Sequence, residues 1–144
     1  MFLREDNYIE NINAYTVDDW KPLLDIMEEI EATESFGETV GGGIDEDGDY
    51  VLPNWASSMV VYDFLDIVYK IPIIIDFDWP GWNEGRKIIS DESFDYDSID
   101  IPTKCKLISA IARNERFCDG VLSGYFEKGV MQKILKSIKK QLGC

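Results

Sequence analysis

From Asp100 onward, apolar residues recur at every third or fourth position, a spacing that only helices can turn toward one side. Cys105, Leu107, Ile108, Ile111 and Ala112 form the first stripe, ending near Asn114. Asp100 offers it a capping oxygen, and Pro102 sits in a first turn, where a missing N–H does no harm. Asp119 can start a short helix and Gly129 can stop it, after which Met131, Ile134, Leu135, Ile138 and Leu142 form a last inward stripe. Amphipathic helices cannot stand alone, so the residues before Asp100 must supply apolar faces to cover them.

Those faces can be read off the earlier sequence. Thr16 to Trp20 supply side-chain oxygens for a helix start, and Trp20, Leu23, Leu24, Met27 and Ile30 follow at helical spacing, with Gly37 beyond the end. Asp47-Gly48 between two short β-prone runs predicts a small hairpin at about 38 to 52. A second helix is expected from Asn54 to about Tyr69, with Trp55, Met59, Val61, Tyr62, Phe64, Leu65 and Val68 covering most of its circumference. The expected fold is predominantly α: one domain over residues 1 to 144, with five to six helices, a small β-hairpin and residues 1 to 15 as a loose N-terminal arm.

The segment "IIIDFDWPGWNEGR", residues 73 to 86, connects the central helix to a short helix starting near Trp82. Pro80 disfavours the helical region for Trp79, and two indoles offer large apolar area with one polar N–H each. The segment reads as a clasp over one edge of the core, with Trp79 buried, Trp82 the more exposed, and Arg86 paired to Asp76, Asp78 or Glu84. Tryptophan and arginine are also common partner contacts, which makes Trp82 a candidate binding residue.

Charge divides the chain. Residues 1 to 100 hold 5 Lys and Arg against 25 Asp and Glu, a balance of −20, whereas residues 101 to 144 hold 9 against 3, a balance of +6, for a net −14. Neutralising phosphates requires clustered bases, so direct nucleic-acid binding is not expected. The strip "SDESFDYDSID", residues 90 to 100, has five acids, two aromatics and no base. Solvation is its ordinary role; a second role is docking a partner through Asp91, Glu92, Asp95, Tyr96 and Asp97.

Much chemistry is excluded. The chain has no histidine, which removes Ser-His-Asp and Cys-His nucleophile activation and histidine metal cages. "GGGIDEDG" lacks the spacing and the cation of a phosphate loop. Asp45, Asp47 and Asp49 alternate as calcium ligands do, but Tyr50 stands where the loop glycine belongs and Ala56 where a bidentate glutamate is needed. Cys105, Cys118 and Cys144 form no C-x-x-C pair. No metal site, cofactor or catalytic function is expected. The N-terminus has no apolar leader and no window is apolar enough to span a membrane, so a cytoplasmic protein is expected.

"FDWPGWNEGR", "RNERFCDG", "YFEKGVMQKILKSIK" and "WKPLLDIMEEIEATESFGETVGG" together resemble a family of small bacterial and phage-associated proteins known only as a domain of unknown function, over about Trp20 to Lys139. The resemblance implies that Arg113, Glu115, Arg116, Phe117, Asp119 and Gly120 act as one unit. The C-terminal part is also similar to a tail of some macrodomain-type ADP-ribose hydrolases. The expected function is a non-catalytic acidic module binding another protein with a basic surface, as a phage-type inhibitor mimicking nucleic-acid charge does. The alternative is a small-ligand module that holds a nucleotide or ADP-ribose-like phosphate on Arg113, Arg116, Lys136 and Lys140. The oligomeric state stays open.

Overall fold

The computed structural model describes residues 2–144 and is predominantly helical, with three small two-stranded ladders among the described residues. Helix α1 spans Tyr8–Ala14 and α2 Val17–Ala32. Thr16 and Asp19 form a reciprocal capping box at the start of α2, each side chain bonding the other's backbone N–H. Pro22 lies in the second turn of α2. Helix α3 spans Met59–Lys70, α4 Asn83–Ser90, α5 Ile101–Glu115, α6 Val121–Glu127 and α7 Val130–Gln141. Asp100 caps α5 as expected, its carboxylate accepting from the Thr103 N–H at 2.9 Å.

The core gathers the helical stripes around three aromatic rings. Phe126 of α6 stacks on Phe36 at 5.0 Å and meets Phe64 of α3 edge-on at 5.2 Å. Trp20, Leu107, Ile108, Ile111, Ile134 and Leu135 close the core from the other helices.

Described residues near the N-terminus pack against the rest of the fold. Strand β1, Leu3–Arg4, runs parallel to a strand at Ile75–Asp76, and Ile12 of α1 is buried in the common core. The Tyr15 hydroxyl donates to the Pro72 carbonyl at 2.6 Å. Ile73, Ile74 and Ile75 are fully buried, and the Ser109 hydroxyl of α5 accepts from the Ile75 N–H at 2.9 Å, so a buried helix residue satisfies a buried strand donor.

The hairpin extends further than expected. Strands β2, Gly37–Val40, and β5, Asn54–Ser57, pair antiparallel, and β3, Gly43–Ile44, with β4, Tyr50–Val51, continues the ribbon outward; the strand at Ile75–Asp76 is β6. Residues Asn54 to Ser57 are therefore strand, and α3 begins only at Met59. The Asp45 carboxylate accepts from the N–H groups of Asp47 and Asp49 at 3.0 and 2.9 Å, which makes it part of the turn.

Candidate functional site

The acidic strip lies against the basic last helix. Asp95 caps a 3-10 turn at Tyr96–Ser98, and Asp91 accepts from both the hydroxyl and the N–H of Ser93, bonds that hold its carboxyl below the usual range. Asp97 accepts from the Lys140 ammonium at 2.8 Å and the Ser137 hydroxyl at 2.6 Å, and these donors hold its carboxyl low while raising Lys140. Asp97 and Lys140, expected in two different sites, are thus each other's partners. Lys133 donates to the Glu92 carbonyl at 3.4 Å. Tyr96 is buried and packs edge-on against Phe94, so it faces the core rather than a partner.

Lys104 of α5 is fully buried, and its Nζ finds no hydrogen-bond partner among the described residues. Burial pushes its pKa down, and Asp97, Asp100 and Asp95 offset that loss in part. Neighbouring Cys105 is inert, since burial pushes its thiol far above the ordinary range.

In the connector both tryptophans are half-buried, and it is Trp82 rather than Trp79 that packs on the core. Trp82 meets Phe77 edge-on at 5.7 Å, carries the Lys106 ammonium 4.6 Å from its ring centre and packs on the core. A Cβ at buried Gly85 would collide with its ring, so glycine is what lets the indole lie flat over α4. Trp79 reaches outward to exposed Phe117, their ring centres 6.1 Å apart. Arg86 donates to the Pro80 carbonyl, while Asp76 pairs with Arg113 at 3.6 Å. Both tryptophans border a cavity of 340 Å³, floored by Leu107 and Ile111 and edged by Arg86 and Asn114.

The four bases of the expected phosphate site do not converge. Lys136 pairs with Glu31 at 3.4 Å and Lys140 with Asp97, both on α7. Arg113 and Arg116 lie at the far end of α5. Arg113 stacks over Phe2, its guanidinium carbon 4.6 Å from the ring centre.

Within the "RNERFCDG" stretch Glu115 and Gly120 are tied together, while Arg113 turns to Phe2 and Asp76 and Phe117 to Trp79. Glu115 accepts from the N–H groups of Gly120 and Leu122, so it, rather than Asp119, caps α6. Gly120 has φ of 93°, and a Cβ there would lie 3.1 Å from Trp55, so the turn and the indole constrain each other. The Trp55 Nε1 donates to the Ser57 hydroxyl at 3.1 Å, which in turn bonds the Ser123 hydroxyl at 2.7 Å. Trp55, Tyr62, Tyr69, Arg116 and Asp119 line a second cavity, of 490 Å³. Sequence periodicity hides this site, because it assigns Trp55 and Tyr62 to the circumference of one buried helix that ends near Tyr69. The β-prone run around Trp55 is the signal that could have exposed it.

The ribbon is the most exposed apolar feature. Ile44 pairs opposite Tyr50, so both side chains share one face, and Leu52 follows directly after β4. Their relative exposures are 75%, 62% and 74%, and Val40 and Val51 are exposed beside them. Residues 37 to 57 carry Glu38, Asp45, Glu46, Asp47 and Asp49 and no base.

Among the described residues no three carboxylates or thiols come together in a way that could hold a metal ion. No helix there is long and apolar enough to cross a membrane. Neither a curated protein nor a solved structure matches the chain. A family model does, over residues 15–143, and on that match the chain belongs to the family of unknown function DUF6508.

Proposed function

We propose that this protein is a non-catalytic binding module whose acidic, apolar-faced β-ribbon docks on a partner protein that carries an apolar patch rimmed by basic residues. The observation that carries this reading is the coincidence of Ile44 and Tyr50 on one exposed face, with exposed Leu52 next to them, and five acids and no base in the same 21 residues. Exposed apolar patches of this kind are uncommon on monomers and mark interaction surfaces, and a two-stranded ribbon leaves strand edges open to another chain. The acids supply on-rate and choice of partner, and the apolar face supplies most of the affinity. The same charge suits competition with nucleic acid for a basic surface, the behaviour of a phage-type inhibitor acting in the cytoplasm.

The ribbon replaces the 91–97 strip as the docking element, because Asp97 is already paired and Tyr96 is buried. The test is retention of a partner by immobilised protein. Ile44→Ser with Leu52→Ser should abolish retention without lowering the melting temperature. Asp45→Asn, Glu46→Gln, Asp47→Asn and Asp49→Asn together should weaken it most at low salt, where unscreened charge counts most. Retention of the same partner by both variants at parental strength contradicts the reading.

A further inference from the structure

The 490 Å³ cavity beside Arg116 is independent of the ribbon's apolar face, and its volume falls within the range of small-ligand pockets. Its chemistry differs from end to end. At the β5 end stands Trp55, held by the Ser57 hydroxyl, itself bonded to Ser123, and by its contact with Gly120, an aromatic wall whose fixed orientation spares a ligand the cost of ordering it. Tyr62 lies one helical turn along α3.

At the other end is Tyr69, near the C-terminus of α3, whose hydroxyl is buried and has no hydrogen-bond partner among the described residues. Phe2 packs edge-on against Tyr69 at 5.8 Å and carries the Arg113 guanidinium on its face. Two nitrogens of Arg113, Nε and Nη1, are likewise buried without a hydrogen bond, and its 3.6 Å approach to Asp76 is too long to be one. Both Arg113 and Arg116 act on the Tyr69 hydroxyl, lowering its pKa against the larger rise caused by burial. Of these groups Tyr69 lines the cavity together with Arg116, and a buried hydroxyl left without an acceptor beside an exposed arginine calls for an anionic acceptor.

The acids of the cavity do not reverse this preference. Glu115 is already taken by the N–H groups of Gly120 and Leu122, and Asp119 belongs to the turn next to Gly120, at the Trp55 end. A cationic ligand would have to lie beside Arg116.

We propose that this cavity binds a planar aromatic ring carrying an anionic group, the chemistry of a nucleoside monophosphate, with the ring against Trp55 and the anion on Arg116 and the Tyr69 hydroxyl. Asp119 then faces the donors of the ring or sugar. The arrangement leaves the α7 lysines out of the site.

Calorimetric titration of the full chain tests the proposal, with AMP, GMP, CMP and UMP, adenosine and inorganic phosphate as probes. At least one nucleoside monophosphate should bind saturably, and inorganic phosphate should bind at least about tenfold more weakly. Arg116→Ala, at an exposed position, should weaken that nucleotide about tenfold, and Tyr69→Phe should weaken it by a smaller factor while the melting temperature holds. For AMP, neither change should alter the affinity for adenosine. Three results would overturn the proposal: no saturation by any of the four nucleotides at millimolar concentration, inorganic phosphate binding as tightly as they do, or parental nucleotide affinity in both variants.

Discussion

Lys104 is the residue whose surroundings least suit it. A fully buried ammonium without a hydrogen-bond partner destabilises the fold at any pH where it stays charged. Its folded pKa is lowered, chiefly by burial, while in the unfolded chain it has the ordinary lysine value of about 10.4. Between the folded value and about 10.4 the unfolded state therefore binds a proton that the folded state lacks, and this group makes stability rise with pH across that window. Lys104→Met keeps the length of the side chain and removes the charge. It should raise the unfolding free energy at pH 7 by about 1 kcal/mol, with the gain shrinking as pH approaches 10, as measured by urea denaturation at both pH values. A variant less stable than its parent at pH 7 would mean that Lys104 is paired in solution. Asp97 gives the same slope, since its pKa is also lowered, but its contribution at neutral pH is stabilising. Its lowered pKa gives a stabilising contribution that is present above about 3.9 and lost as pH falls through the folded value.

At the scale of elements, the connector from Asp76 to Trp82 shows how a correct assignment can carry a wrong detail. Pro80 does direct the chain back over the core, but the ring it delivers is Trp82, seated on Gly85 and Phe77 and covered by Lys106, while Trp79 faces Phe117. Trp82→Ala should therefore cost about 2–3 kcal/mol and Trp79→Ala less than about 1 kcal/mol, as read from circular dichroism melts. Elements whose signals are local were legible in the sequence: the caps at Thr16 and Asp100 and the inward stripe of α7 lie where their residues put them. Elements that depend on distant partners were not. Leu3 and Arg4 have no strand signature of their own and become β1 only because Ile75 and Asp76 accept them. Asn54 to Ser57 read as a helix start because Asn54 can cap and Trp55 fits the period, yet pairing with Gly37–Val40 overrides that propensity. The 490 Å³ cavity was illegible for the same reason: it needs β5, α3 and the turn after α5 side by side.

For the whole molecule, the division of charge resolves into two different uses. Part of it is internal, since the last helix draws in Asp97 and Glu31 through Lys140 and Lys136. The ribbon's five acids, by contrast, have no basic residue on their own element and surround an apolar face open to solvent. Exposed pairs such as Lys136–Glu31 add little stability, so the acidic majority contributes little to folding. The ribbon rests on few buried side chains beyond Phe36 and the base of β5, and on its own its amides should exchange quickly with solvent. Hydrogen–deuterium exchange of the protein alone and in complex with a retained partner measures the proposed docking directly. The account predicts marked slowing across residues 37 to 57, with residues 91 to 97 and α7 unchanged. Slowing confined to residues 91 to 97, or anywhere that leaves the ribbon exchanging at its free rate, would contradict it.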